Sequence, residues 1–233
     1  MTKKSYICLI INKVNIMNNL VQNYKIIYEQ LVKNCSHIKS FPQIRQPKLS
    51  NLELVALNLT AEYMSYSSEL QLFRAIKGTE LDNKIERTVF NKRRRRLVGY
   101  TEEIRRFLIQ QFSHLSNLFI VDSTPVEICK ISRAKRSNIC STEEIQPAFG
   151  YCAAQKKHYF GYKLHLVCDE NTVVHSFDFT PANIHDVNYL KDIKYNLNNC
   201  ELIGDRAYIS ADYQADLFNK SQINYLFRCG QTR

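Results

Sequence analysis

A chain of 233 residues with 45% hydrophobic and 23% charged side chains is ordinary for a globular protein of one large or two modest domains. No apolar run approaches the roughly 20 residues that span a bilayer, and none of the eight cysteines forms a Cys-x-x-Cys pair, which excludes a spanning helix, a zinc ribbon and a thioredoxin-type motif. The net charge of +10 is not ordinary: residues 1–117 hold 19 basic and 9 acidic side chains and residues 118–233 hold 13 of each, so the first half alone carries the excess expected of a polyanion-binding module.

Residues 1–17 read as a tail, and Met17 is an alternative start. Leu20, Tyr24, Ile27, Leu31 and Cys35 recur at helical spacing, which predicts an amphipathic helix over 18–35. Ser50-Asn-Leu-Glu53 is a capping box that opens a helix to about Met64. A short polar turn leads to a second helix, Glu69 to Lys77, closed by Gly78, and the two suit a helix-turn-helix or any small helical bundle. A further helix over 85–98 carries the consecutive cations Lys92, Arg93, Arg94, Arg95 and Arg96, too many to share one helix face. Their number and the lack of interleaved acids point to phosphate contact as much as to a solvated surface. Gly99 is expected to end that helix, and Thr101 to start another with Ile104, Phe107, Leu108 and Phe112 inward.

From residue 118 the pattern changes from a period of 3.6 to a period of 2. Leu118-Phe-Ile-Val121 is a short apolar strand that runs into Asp122. A basic loop follows, with Lys130, Arg133, Lys135 and Arg136 placed to rest on a nucleic-acid backbone. Residues 149–154 form a strand or an extension of the next one, 158–168. A hairpin turn at 169–171 leads to a returning strand at 173–179. A helix over 186–197 precedes Leu202-Ile203-Gly204, which ends in Asp205, and 212–218 is a last helix. The expected order is β-β-β-α-β-α.

One strand, a hairpin, a crossover helix and a strand parallel to the first is the layout of a ribonuclease H-like sheet, in which the first and fourth strands are neighbours. Asp122 and Asp205 would then face one another. Either aspartate alone reads best as a turn residue capping backbone amides. As a pair they suit a divalent ion, since Mg²⁺ is commonly held by one or two carboxylates with water and phosphate oxygens completing the shell. Lys163 and His165 alternate on one strand and share a face, either against substrate phosphate or against solvent. Arg206 has a choice between phosphate and the carboxylates, and Asp186 suits a helix N-terminus.

Ile120-Val-Asp-Ser-Thr-Pro125, Phe160-Gly-Tyr-Lys-Leu-His-Leu166, Thr180-Pro-Ala-Asn-Ile-His-Asp186 and Ile203-Gly-Asp-Arg-Ala-Tyr208, in this order, resemble the DDE transposases of bacterial insertion sequences, most closely the insertion-sequence 982 family. The resemblance covers about residues 18–227. It implies a helical region over 18–117 that recognises the element's double-stranded DNA ends, and a ribonuclease H-like catalytic domain over 118–233. It also implies Asp122 and Asp205 as the first two acids of a triad using Mg²⁺ or Mn²⁺, a homo-oligomer on DNA, and a cytoplasmic, nucleoid-associated protein without a membrane partner. Family members place a catalytic Glu some tens of residues beyond the second Asp, whereas here only Asp212 and Asp216 follow Asp205. The expectation is a C-terminally truncated transposase, incompetent alone, ending after 227 without a further structural element. A DNA-binding fragment that inhibits transposition is the alternative.

Overall fold

The computed structural model describes residues 19–42, 45–111 and 116–227; the expected tail over 1–17, Phe112 and residues 228–233 lie outside them. The protein divides into two compact units, Met1–Ser113 and His114–Arg233.

The described residues of the first unit form five helices and no strand: α1 (Leu20–Cys35), α2 (Asn51–Tyr63), α3 (Glu69–Ile76), α4 (Arg87–Arg96) and α5 (Val98–Gln110). Local chemistry starts the first three. Asn19 Oδ1 accepts from Val21 N at 3.0 Å, and Ser68 Oγ accepts from Gln71 N at 3.2 Å. The Ser50–Glu53 box is closed both ways, at 3.2 Å onto Ser50 Oγ and 2.7 Å onto Glu53 Oε2. Tyr24, Ile27 and Leu31 share a buried cluster with Leu54, Leu57 and Ala61, joined by Leu72, Ile76, Phe90, Leu97 and Ile104. Removing one such side chain, as in Leu57→Ala, costs about 2–5 kcal/mol. Gly99 does not end the basic helix. The break falls at Leu97, whose side chain is buried, and Gly99 lies in the first turn of α5.

The second unit is a mixed sheet with helices. Its elements are β1 (Leu118–Cys129), the single turn α6 (Ile131–Ala134), β2 (Ala148–Cys152), β3 (Lys157–Asp169) and β4 (Val174–Pro181). A 3-10 turn, Asp186–Tyr189, then runs into α7 (Leu190–Ile193), followed by β5 (Cys200–Gly204), a second 3-10 turn at Arg206–Tyr208, α8 (Ala211–Ser221) and β6 (Ile223–Phe227). The strand order is β2-β3-β1-β5-β6, with β4 also pairing β3. Strand β1 is antiparallel to β3 and parallel to β5, and β5 is parallel to β6.

Four expectations are corrected here. Strand β1 does not stop at Asp122 but runs on to Cys129, and of the two readings of 149–154 the separate strand holds, over 148–152, paired with Lys157–Gly161. The basic loop contains the turn α6. The crossover is short, so Leu197 lies beyond α7, although it still packs in the core. A final strand, β6, does follow α8, because Gln222 adopts the left-handed conformation at the helix end and returns the chain to the sheet. The observed order is β-β-β-β-α-β-α-β, leaving aside α6 and the 3-10 turns.

The two faces of this sheet differ. Phe119, Val121, Val167 and Leu202 share a buried cluster with Tyr189, Leu190, Ile193, Tyr208 and Leu217. Strand alternation puts Ile120, Phe177, Phe179 and Leu226 on the opposite face, where each remains 39–44% exposed.

Candidate active site

Strands β1 and β5 pair in parallel through Leu118↔Glu201, Phe119↔Leu202 and Ile120↔Ile203. Two residues further along each strand come Asp122 and Asp205, so the same register carries the two carboxylates to one level. The sequence makes this happen with β-branched and apolar residues before each aspartate and, on β5, with Gly204. A Cβ at Gly204 would run into the Tyr225 hydroxyl and sit 3.0 Å from Val121 Cγ1. That hydroxyl donates to the Asp205 carbonyl oxygen at 3.1 Å, so β6 helps to seat Asp205.

Both carboxylates are oriented by the backbone. Asp122 Oδ1 accepts from Ser123 N at 2.7 Å, and Asp205 Oδ1 accepts from Ala207 N at 2.9 Å. No described residue donates to the second oxygen of either. Desolvation raises the Asp205 pKa above the ordinary carboxylate value, and the negative charges of Asp122 and Asp186 push the same way, against the Ala207 hydrogen bond. A pair of oxygen donors crowded with negative charge is the chemistry that a hard divalent cation relieves. Among the described residues no group of three or more His, Cys, Asp or Glu side chains is placed to hold a metal ion.

The neighbouring predicted residues sort themselves by face. Arg206, beside Asp205, is exposed and forms no ion pair with a described residue. Lys163 donates to Asp186 Oδ1 at 2.8 Å and to the Ile184 carbonyl at 2.7 Å, with both side chains mostly buried. Asp186 is therefore a partner for Lys163, and no side-chain cap opens the turn it begins. The expectation for His165 is overturned. On β3 its parity is that of Val167, the face covered by α7 and α8, so its ring is fully buried and reaches neither phosphate nor solvent. Its Nδ1 meets Tyr208 Oη and its Nε2 meets Thr180 Oγ1, both at 2.9 Å.

The basic residues split too. Lys92, Arg95 and Arg96 are exposed, and Arg96 lies over the Phe41 ring. Arg93 turns inward, donating to the Leu49 carbonyl and to Asn51 Oδ1, both at 2.8 Å, and Arg94 pairs with Glu69 at 3.1 Å. Lys130, Arg133, Lys135 and Arg136 are all exposed around α6. Tyr208 and Tyr225 are site residues that sequence reasoning passed over. The first stands three residues after Asp205 inside a motif already noted, whereas nothing local marks the second.

A mixed sheet with flanking helices, and two aspartates level on neighbouring parallel strands, is consistent with a ribonuclease H-like domain of the DDE class. The family model of the transposase DDE domain matches residues 113–232, just over half of the chain, and the chain belongs to that family. Membership implies a DNA substrate. No curated protein and no solved structure matches the chain. No helix among the described residues is long and apolar enough to cross a membrane.

Proposed function

We propose that the chain is the transposase polypeptide of a bacterial insertion sequence of the 982 family, acting on double-stranded DNA at the element's ends. The observation that carries this reading is the common level of Asp122 and Asp205 on paired parallel strands, each with one oxygen held by a backbone N–H. Their free oxygens would hold Mg²⁺ or Mn²⁺, which when bound supplies charge stabilisation for in-line displacement at a phosphodiester. Arg206, Lys130, Arg133, Lys135 and Arg136 would steady the DNA backbone near the pair. Lys92, Arg95 and Arg96 would make phosphate contacts from the helical unit, the more basic part of the chain.

Among the described residues no third carboxylate completes a metal-holding group at the pair: Asp186, whose charge reaches Asp205, is bound by Lys163. Asp216 is bound by Lys194 and Lys220, and Asp212 is exposed in the first turn of α8. Strand cleavage therefore needs a carboxylate from outside this sequence, and the chain alone binds element ends without cutting them. That makes an inhibitory, DNA-binding role the second reading. The test is incubation with a plasmid carrying the element's own ends, with Mg²⁺ or Mn²⁺. Binding without nicking is expected. Metal-dependent nicking that disappears in Asp122→Asn would overturn the incompetence and keep the catalytic pair.

A further inference from the structure

A line of hydrogen bonds runs beneath the two carboxylates, through side chains that the proposed chemistry does not use. Thr180 of β4 meets His165 of β3, which meets the hydroxyl of Tyr208 in the turn after β5. Across the β1–β3 ladder His165 is the register partner of Ser123, so Ser123 stands on the same face beside this line. His165 and Tyr208 are fully buried, and the imidazole stacks on Tyr189 with centroids 4.6 Å apart and planes 20° apart. Burial pushes the His165 pKa down, so the ring is neutral, with one donor and one acceptor nitrogen. Run in either direction, the line leaves neither ring nitrogen without a partner.

An imidazole and a phenol hydroxyl are costly to bury, and apolar side chains of similar size would fill the space without that cost. What the polar pair adds is a connection. Beside the line, the backbone N–H of Ser123 holds Asp122 Oδ1. At its end, Tyr208 closes a turn whose first residue is Asp205: Tyr208 N donates to the Asp205 carbonyl at 3.2 Å, and Ala207 N donates to its carboxylate. Asp205 is thus one turn away from the buried line, and Asp122 one residue away from the serine beside it.

We propose that His165 and Tyr208 are positioning residues, which lock the Asp205 turn against the Asp122 segment and so fix the spacing of the two carboxylates for a divalent ion. This rests on the reading of Asp122 and Asp205 as the metal-holding pair. Tyr208→Phe deletes one oxygen and leaves the ring in place, and Ser123→Ala removes the hydroxyl that β1 presents beside His165, at a half-buried position where folding is least at risk.

The test has two arms on the full chain. In Tyr208→Phe the amides of Ala207 and Tyr208 should exchange with deuterium about tenfold faster while those of β5 are unchanged, which reports local opening of the turn. Mn²⁺ affinity, followed by electron paramagnetic resonance, should fall about tenfold or more in Tyr208→Phe and in Ser123→Ala, the usual scale for losing a residue that supports a ligand. A variant that lowers Tm but leaves both turn exchange and Mn²⁺ affinity at wild-type values would show mere packing and overturn the proposal. If the wild-type chain takes up no Mn²⁺, the metal reading of the pair falls, and the exchange comparison still decides whether the line holds the turn.

Discussion

Asp122 and Asp205 stand across the β1–β5 seam at the same level, each two residues past the last paired positions, Ile120 and Ile203. The cost of that placement is written in the raised pKa of Asp205, caused first by desolvation and then by the charges of Asp122 and Asp186. A carboxyl whose folded pKa lies above its unfolded value binds its proton more tightly in the folded state. Its contribution to stability is therefore fully present below the unfolded pKa and is lost as pH rises through the folded pKa. At neutral pH the ionised Asp205 weakens the fold.

Asp205→Asn keeps an oxygen to accept the Ala207 N–H and removes the charge. Its Tm should exceed that of the wild type at neutral pH, and the gain should shrink as pH falls toward the ordinary carboxylate pKa. Thermal unfolding across that range reads this out. A gain independent of pH would mean that something other than charge is relieved.

Gly204 should tolerate no side chain while Tyr225 keeps its hydroxyl. Gly204→Ala presses a methyl group onto that oxygen and onto Val121, a crowding that costs about 1–3 kcal/mol in a packed core. Tyr225→Phe removes the colliding atom along with its bond to Asp205. Denaturant unfolding of both singles and the double should therefore show the double variant less destabilised than the sum of the two.

The cation run should separate into two functions. Arg93→Gln breaks two hydrogen bonds that tie α4 to Leu49 and Asn51, so stability should drop by about 1–3 kcal/mol. Replacing Lys92, Arg95 and Arg96 with Gln should leave stability nearly unchanged. It should instead flatten the log–log salt dependence of DNA binding by about 0.9 for each phosphate that is no longer neutralised. An unchanged salt slope in that triple variant would remove this helix from the DNA interface.

What the sequence disclosed follows the physics of each signal. The capping box at Ser50 and the apolar period of α1 are local, and both stand as read. The level of Asp122 with Asp205 was also within reach, because two apolar runs leading into aspartate suit the same sheet, although the first strand does not end at Asp122 but pairs with β3 as far as Cys129. Alternation showed that Lys163 and His165 share a face, but which face the helices cover is a tertiary fact. It was settled by the elements packed on one face, from which Tyr189 and Tyr208 close over His165 while Ile120 on the other face stays bare. Strand β6 was hidden for a similar reason: Asn224 interrupts its apolar pattern, and its pairing depends on β5, 23 positions earlier along the register Cys200↔Ile223. The inward turn of Arg93 depends on Leu49 and Asn51, more than 40 residues away, and no charge count reveals it.

The most direct measurement is Mn²⁺ binding to the 233-residue chain, titrated by electron paramagnetic resonance in the wild type, Asp122→Asn and Asp205→Asn. Two carboxylates with water completing the shell should give a weak site, and removing either carboxylate should abolish it. All three proteins should unfold with similar cooperativity, so the loss would belong to the ligands. Binding of equal strength in both variants, or none in the wild type, would contradict the assignment of this pair as the metal-holding centre.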